Sequence, residues 1–479
     1  MSAHEVYYKA MASRDKRFDG KFYAGVKTTG IYCRPICPAP CPKRENVNFY
    51  ATAASAREAG FRPCLRCHPE SAPHSYDWEG SPALLSQALR LITEGFLDQK
   101  NIEDLAASLG ISPRHLRRLF QSHLGTSPLA VAQTRRLHFA KKLIDETGLS
   151  FTQITHAAGF SSIRTFNNLI KNTFHQTPTQ LRKNQPPAKN NGLTLKLSYR
   201  PPYDWAHMLA YLSRRAIPGV ESVSSAGYRR TVALGGESGW IEVIPEPEQA
   251  ALRLQVPSEL GPHLSEIVSR TRHLFDLEAD PMAINAALAE DPRLAAAVGD
   301  RPGLRVPGAW DEFELAARAV AGQQITVTGA GQLLGRLAAR CGKPLPDAGL
   351  DTRAFVFPSA GDIVGAALDG GGLTAARRTA LQALAADLHA NGPWRERWLD
   401  LDQAVGALTG FPGVGPWTAH YIAMRALAFP DAFPAGDLWL RKAFAPEPSQ
   451  PLSEQALTHM AEDWRPWRAY AAVHIWANL

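Results

Sequence analysis

Two pairs of cysteines carry the first chemical signal in this chain. Cys33 and Cys37 are spaced C-x3-C, and Cys64 and Cys67 are spaced C-x2-C within Phe61-Arg62-Pro63-Cys64-Leu65-Arg66-Cys67. Two close thiol pairs separated by a short segment are what a tetrahedral Zn(II) site needs. Each pair chelates from one turn, and the segment between folds back to bring the pairs together. One zinc ion per chain is expected. Two disulfides could use the same residues in a secreted domain, but the sequence shows neither a signal peptide nor a long apolar span, so a reducing cytoplasm and a metal are expected. A fifth thiol, Cys41, follows closely in Cys37-Pro38-Ala39-Pro40-Cys41-Pro42, and Cys341 stands apart as an ordinary thiol.

A second signal is Leu408-Thr409-Gly410-Phe411-Pro412-Gly413-Val414-Gly415-Pro416-Trp417, which reads as a helix, a glycine hairpin and another helix. Gly413 and Gly415 allow backbone conformations that aim amide N–H groups outward at the next helix's start. Such a hairpin grips a DNA phosphate without reading sequence. Asp437 follows 22 residues after Gly415. Taken alone, an aspartate after a glycine is most often a helix cap.

A third signal is a repeat. Leu105-Ala106-Ala107-Ser108-Leu109-Gly110-Ile111-Ser112 matches Ile154-Thr155-His156-Ala157-Ala158-Gly159-Phe160-Ser161, and each copy ends on a proline, Pro128 and Pro178. Small residues and a glycine at the turn let two helices cross closely, so this is a helix-turn-helix motif present twice. The second helices, near 113–123 and 162–173, carry Arg114, Arg117 and Arg118 on one and Arg164, Asn167 and Asn168 on the other. Arginine and asparagine suit guanine and adenine edges. An exposed helix face would look the same at any one of these positions.

These groups need several elements to position them. A chain of 479 residues is long enough for about three domains. Its 45% apolar content supplies globular cores, while no run approaches the roughly 18–20 apolar residues of a membrane helix. The net charge of +7 is uneven. Residues 1–192 hold 26 Lys and Arg against 14 Asp and Glu, whereas 193–479 hold 26 against 31. The front part therefore has the balance of a phosphate-binding surface. The expected division is a cysteine domain over 1–75, a helical DNA-binding domain over 82–183 and a polar, proline-containing linker over 184–192. A mixed α/β subdomain over 193–305 and a helical domain over 306–479 follow. Asn101 and Ser112-Pro113 read as helix starts. Gly239–Ile244 and Leu252–Val256 read as strands. The fold class is multidomain, mainly α with α+β parts.

The helix-turn-helix pair closely resembles the DNA-binding domain of AraC-type transcription activators, in which both recognition helices enter adjacent major grooves. The cysteine segment, through Thr28-Thr29-Gly30-Ile31-Tyr32-Cys33-Arg34-Pro35, Arg44-Glu45-Asn46-Val47-Asn48-Phe49-Tyr50-Ala51 and Gly60-Phe61-Arg62-Pro63-Cys64-Leu65-Arg66-Cys67, resembles the N-terminal domain of the Ada methylation-response regulator. The resemblance implies zinc ligands at Cys33, Cys37, Cys64 and Cys67, with Cys41 a bystander. It also implies that Cys33 takes a methyl group from a DNA methylphosphotriester. Methylation of a thiolate removes one negative charge, which favours approach to phosphates, so the repair event can switch the adjacent DNA-binding motifs.

The hairpin with Asp437 resembles the helix-hairpin-helix DNA glycosylase superfamily, and residues 193–479 resemble the AlkA-type 3-methyladenine DNA glycosylase II. The matching stretches include Pro201-Pro202-Tyr203-Asp204-Trp205, Arg301-Pro302-Gly303-Leu304-Arg305-Val306-Pro307-Gly308 and Trp464-Arg465-Pro466-Trp467-Arg468-Ala469-Tyr470. The implied reaction is base flipping followed by N-glycosidic hydrolysis. Asp437 would stabilise the oxocarbenium-like sugar, and Trp476, Trp417 and Tyr421 would line the pocket for the cationic base. Gln324 falls where that enzyme carries a leucine wedge, Gly436 replaces an acidic neighbour of the catalytic aspartate, and the chain stops soon after Trp476. A C-terminal Pro-Cys-His-Arg acceptor of the kind that repairs O6-methylguanine is not found, so that activity is expected to be absent from this chain.

The implied partners are alkylated duplex DNA, promoter sites and RNA polymerase, with no membrane, for a monomer in the bacterial cytoplasm at the nucleoid. A regulator whose back half is a catalytically inactive DNA-binding module is the alternative, and a zinc-stabilised activator without methyl transfer is a third reading.

Overall fold

The computed structural model describes residues 3–73, 83–183, 192–346, 349–350, 353–369, 371–447 and 449–479. Most of the expected linker, 184–191, lies outside the described residues. The chain forms two compact units. The first comprises Met1–Pro201 and Glu246–Ser269, and the second Pro202–Pro245 and Arg270–Leu479. Among the described residues no helix is long and apolar enough to cross a membrane.

The first unit begins with helix α1 (Ala3–Ala12) and a four-stranded sheet made of β1 (Tyr23–Val26), β2 (Ile31–Cys33), β3 (Val47–Tyr50) and β4 (Arg62–Pro63), in the order β3-β1-β2-β4. β1 runs antiparallel to both β2 and β3, while β4 pairs parallel with β2 in the register Ile31↔Arg62 and Tyr32↔Pro63. Helix α2 (Ala53–Glu58) starts with a capping box in which Thr52 and Ser55 exchange hydrogen bonds, an arrangement worth about 1 kcal/mol. α1 is held to the sheet by an aromatic cluster. Tyr7 stacks on the fully buried Phe22 with ring centroids 4.4 Å apart, and Phe49 meets Phe22 edge-on at 5.2 Å. Burying one such ring contributes about 2 kcal/mol.

Eight helices follow: α3 (Ala83–Thr93), α4 (Phe96–Gln99), α5 (Ile102–Ser108), α6 (Pro113–Leu124), α7 (Pro128–Glu146), α8 (Phe151–Ala157), α9 (Ile163–Phe174) and α10 (Pro178–Lys183). The two repeats form the helix pairs α5/α6 and α8/α9. Asn101, Ser112, Ser150 and Ser162 cap these helices with side-chain oxygens. Gly110 (φ +67) and Gly159 (φ +77) supply the left-handed turn between the helices of each pair. Leu116, Phe120, Phe166 and Ile170 face inward from α6 and α9 at helical spacing and are fully buried. The 19-residue α7 joins the two motifs. The first unit also contains the antiparallel strands Leu193–Ser198 and Ala251–Val256. The Lys196 N–H donates to Glu146 Oε2 at the end of α7 at 2.9 Å.

The second unit carries an antiparallel meander of Glu221–Val223, Tyr228–Leu234 and Glu237–Glu246, so the alternation around Gly239–Ile244 does mark a strand. The rest is helical. Its centre is Glu312–Ala321, buried over nine of its ten residues. Glu314 on that helix is locked in a buried ion network, with Arg230 Nη2 at 2.5 Å and Arg318 Nη2 at 2.7 Å, and Arg318 also reaches Glu221 Oε2 at 2.6 Å. Desolvated charges of this kind specify one packing of the strands against the helix more than they add stability. A large apolar cluster, including Phe313, Leu334, Leu381, Trp394, Leu408 and Ile422, fixes the helices that carry the hairpin. A second cluster around Phe433, Leu440, Trp464 and Ile475 fixes those around Asp437.

Candidate functional site

The sulfur cluster is assembled by the sheet. Cys33 ends β2 and Cys64 follows β4; the parallel pairing of these strands, extended by the Cys64 N–H to Tyr32 O bond of 3.0 Å, sets the two residues side by side. Cys37 is brought back by a turn in which its N–H meets Arg34 O at 3.1 Å. The sulfurs of Cys33, Cys37, Cys64 and Cys67 all lie within 4.8 Å of one another, and Cys37 Sγ is 3.9 Å from Cys64 Sγ. A tetrahedron with Zn–S bonds of about 2.3 Å has edges of about 3.8 Å, so the donor set fits zinc. Cys37, Cys64 and Cys67 are buried, whereas Cys33 is partly exposed. Cys41 is exposed and lies outside the four-sulfur group, its Sγ 3.7 Å from Pro42 O.

The surroundings favour sulfur anions. Backbone N–H groups of Arg34 and Arg66 donate to Cys67 Sγ and Cys64 Sγ at 3.3 and 3.4 Å. The hydrogen bond with Cys33 brings Cys37 down to about 7, and hydrogen bonds from Cys33, Cys37 and Cys67 hold Cys64 well below the usual thiol range. The same crowding pushes Cys33 and Cys67 well up. Four crowded thiols therefore do not ionise together by themselves, and a bound dication removes that limit. Behind the cluster the buried Arg34 guanidinium pairs with Asp19 and donates to Cys67 O at 3.1 Å. This bracing pair was not apparent from the sequence, although Arg34 adjoins Cys33.

On the helix-turn-helix motifs, Arg114, Arg117 and Arg118 of α6 are exposed, as are Arg164, Asn167 and Asn168 of α9. Arg117 lies 3.7 Å from Glu103 in an exposed pair, which contributes little and leaves the arginine available.

In the second unit the hairpin joins the helices Leu401–Thr409 and Pro416–Arg425. Gly413 takes φ +74, a conformation glycine tolerates best, while Gly415 is extended and caps the second helix. Gln323 Nε2 braces the turn by donating to Gly413 O at 2.9 Å and Thr418 Oγ1 at 3.2 Å. The neighbouring Gln324 is exposed, with φ +58.

Asp437 both caps a helix and faces the aromatic residues. Its Oδ1 accepts the backbone N–H groups of Trp439 and Leu440 at 3.0 and 3.1 Å, starting the helix Leu438–Ala443. Trp476 Nε1 donates to the same oxygen at 3.2 Å, and Trp417 Nε1 donates to Oδ2 at 3.0 Å. Oδ2 thus keeps accepting capacity that Oδ1 has spent. Trp417 stacks on Tyr421 at 5.1 Å with the rings 10° from parallel. The structure therefore brings Asp437, Trp417, Trp476 and Tyr421 into one site. Tyr421 Oη accepts from Arg425 Nη1 at 2.5 Å and meets Tyr211 Oη at 3.1 Å. Burial alone would raise this phenol, but Arg425 and Arg215 bring it down to about 8. Arg425 was findable, one helical turn after Tyr421; Tyr211 left no local signal.

These features define a class of protein: an Ada-type metal centre and paired helix-turn-helix motifs joined to a helix-hairpin-helix glycosylase fold. Three family models match the chain: the metal binding domain of Ada over 6–70, a helix-turn-helix domain over 105–184 and the AlkA N-terminal domain over 194–311. The probable bifunctional transcriptional activator/DNA repair enzyme AlkA of Mycobacterium tuberculosis is 41% identical over 483 residues, covering 99% of this chain and 96% of that protein. The chain belongs to this family of bifunctional AlkA proteins. Escherichia coli DNA-3-methyladenine glycosylase 2 is 36% identical over 284 residues, 58% of this chain and 95% of that protein. Escherichia coli Ada is 36% identical over 178 residues, 36% of this chain and 48% of that protein. Among solved structures, the 3-methyladenine DNA-glycosylase of Archaeoglobus fulgidus shares the fold, with a TM-score of 0.51, 21% identity and coverage of 58% of this chain and 96% of that one.

Proposed function

We infer that the chain is a bifunctional alkylation-response protein that binds DNA, holds one zinc ion, accepts methyl groups on Cys33 and excises alkylated bases of the 3-methyladenine class. The observation that carries the excision reading is the Asp437 carboxylate suspended between two indole N–H donors beside the Trp417–Tyr421 stack. An alkylated purine is cationic and departs as a neutral base, so it needs little acid catalysis. Asp437 supplies the anion for the positive charge that develops on the sugar, with the lone pair that Oδ2 keeps beside the Trp417 bond left to face C1′ or to orient the water that adds there. The aromatic stack offers a cationic base an electron-rich face.

At the sulfur cluster, Cys33 is the proposed acceptor because it is the first cysteine of the Ada-type set, at the end of β2. Bound zinc keeps the sulfur set deprotonated near neutral pH. The Cys33 sulfur forms a bond to the methyl carbon, the methyl–oxygen bond breaks, and the phosphate leaves as a diester anion. The protein sheds one negative charge, and its affinity for DNA rises. α6 and α9, through Arg114, Arg117, Arg118, Arg164 and Asn167, are the proposed promoter readers, and Gln324, Gly413 and Gly415 the proposed contacts to damaged DNA. The reading extends to a monomer that recruits RNA polymerase at the bacterial nucleoid. A cytoplasmic setting belongs to the same reading, since a four-thiolate zinc site needs reduced cysteines. The division at 75, 82–183, 184–192, 193–305 and 306–479 is the proposed domain plan.

One experiment tests both chemistries: incubation with methylated DNA, followed by protein mass and by assay of released bases. A gain of one methyl group per chain, lost in Cys33→Ala, and base release lost in Asp437→Asn are expected. Methyl transfer without base release by the wild type would leave a regulator with an inactive glycosylase-like module.

A further inference from the structure

Extruding a base leaves a gap in the duplex, and unstacking costs a few kcal/mol. Gln324 offers a polar amide at the position assigned to fill that gap, exposed and with φ +58. A larger apolar group lies two residues beyond the Asp437 carboxylate in the chain. Trp439 is 59% exposed, and the neighbouring Leu438 is 47% exposed. Among the described residues Trp439 is the one tryptophan with an exposed side chain. Its backbone is tied to the carboxylate, its N–H donating to Asp437 Oδ1 at 3.0 Å. Lys442, one turn along the same helix, sits over the indole with Nζ 5.3 Å from the ring centroid.

An exposed indole two residues from a carboxylate that must reach a sugar ring has a defined occupant. Two residues span at most about 7 Å, so a nucleotide that presents C1′ to Asp437 would have a strand neighbour within reach of Leu438 and Trp439. Every base and sugar presents an apolar face suited to an indole, and stacking is indifferent to sequence. The ammonium beside the ring matches the phosphate that accompanies such a nucleotide. We propose that Trp439 is a DNA-stacking residue that packs on the nucleotide next to the flipped one, with Lys442 on the adjoining phosphate. The proposal rests on the glycosylase reading and adds a positioning residue to it.

The test uses the full-length zinc-loaded chain in single-turnover excision from methylated duplex DNA, with wild type, Trp439→Phe, Trp439→Ala and Lys442→Ala compared across enzyme concentration. Trp439→Ala is expected to raise the concentration for half-maximal rate roughly ten-fold, as loss of one stacked base does, and Trp439→Phe to restore it to within about three-fold. Lys442→Ala is expected to flatten the dependence of log affinity on log salt by about one unit. A fluorescent adenine analogue beside an abasic-site analogue is expected to be quenched by wild type and not by Trp439→Ala. Thermal midpoints check that each variant folds. If the wild type excises and Trp439→Ala matches it in both half-maximal concentration and quenching, the stacking role is overturned while the glycosylase reading stands. Concentration-dependent dimerisation that Trp439→Ala abolishes, with DNA binding unchanged, would assign the indole to a second copy of the chain instead. Absence of excision by the wild type itself counts against the underlying reading.

Discussion

Tyr32 Oη lies 2.8 Å from His138 Nε2 in a buried hydrogen bond between residues 106 apart in sequence. Tyr32 precedes Cys33 on β2, and His138 lies on α7, the helix that joins the two DNA-binding motifs. Around this bond α7 takes further contacts from the cysteine domain. Arg57 Nη2 donates to Gln133 Oε1 at 2.7 Å, Glu70 Oε1 lies 3.6 Å from Lys141 Nζ, and His68 Nδ1 lies 3.6 Å from Asp145 Oδ2. Lys141 also pairs with Asp145 on α7. The residue next to Cys33 on β2 is thus tied directly to the helix that joins the two helix-turn-helix motifs.

Removing one partner of that bond is predicted to loosen the attachment. His138→Ala strands a buried phenol hydroxyl, at a cost of about 1–3 kcal/mol. Tyr32→Phe removes the hydroxyl but keeps the ring and is expected to cost less. Urea unfolding of the full chain should show His138→Ala with the lower midpoint, while methyl uptake by Cys33 persists in both. Midpoints equal to wild type would mean the bond is not formed in solution.

Zinc retention separates the ligands from the bystander. Cys64→Ser should lose the metal and unfold the small sheet, because the buried sulfur cluster has few apolar neighbours to hold it together. Cys41→Ser should keep one zinc per chain, since Cys41 lies outside the four-sulfur group. Metal content after gel filtration reads both, and zinc loss in Cys41→Ser would place a fifth sulfur in the site.

How much of this was legible follows from the range of each interaction. The cysteine pairs and the glycine hairpin are local devices, set by spacing within a turn, and the cysteines converge and the hairpin folds as their spacing implies. Capping residues such as Asn101 and Ser112 are likewise read within four residues of their targets. The Tyr32–His138 bond, the Asp19–Arg34 pair and the contact of Tyr211 with Tyr421 across 210 positions are different. They depend on which faces of whole elements meet, and no periodicity encodes a partner at that distance. Asp437 shows both sides. Its position was readable from the hairpin, and its cap role from the glycine before it, but the two indole donors that orient it depend on helices converging from 416–425 and 468–477.

Tyr421 gives a pH signature. Its folded-state value of about 8 lies below the roughly 10 of a free phenol. Ionisation therefore stabilises the fold increasingly as pH rises from about 8 to about 10, and this contribution is lost as pH falls through about 8. The stability difference between wild type and Tyr421→Phe should grow by about 2 kcal/mol across that window. A phenolate absorbance titrating near 8 should vanish in the variant. A flat difference would show that Arg425 and Arg215 do not act on the phenol as their positions imply.

The last prediction separates charge from shape at Asp437. Asparagine caps helices as well as aspartate does, so Asp437→Asn should leave the helix Leu438–Ala443 intact and the unfolding free energy within about 1 kcal/mol of wild type. It removes the negative charge that faces the sugar, and base release should fall at least a hundred-fold, the order seen when one electrostatic stabiliser is lost. Trp476→Phe tests the other half of the arrangement. It keeps an aromatic wall but deletes the N–H that meets Oδ1 at 3.2 Å. A hydrogen bond to a charged group contributes about 1.5–3 kcal/mol, so excision should drop about ten-fold or more, with the effect in the maximal rate rather than in DNA affinity. If Trp476→Phe changes only affinity, the indole serves the base and not the carboxylate. If Asp437→Asn retains release while its fold is intact, the charge is dispensable and the catalytic assignment fails.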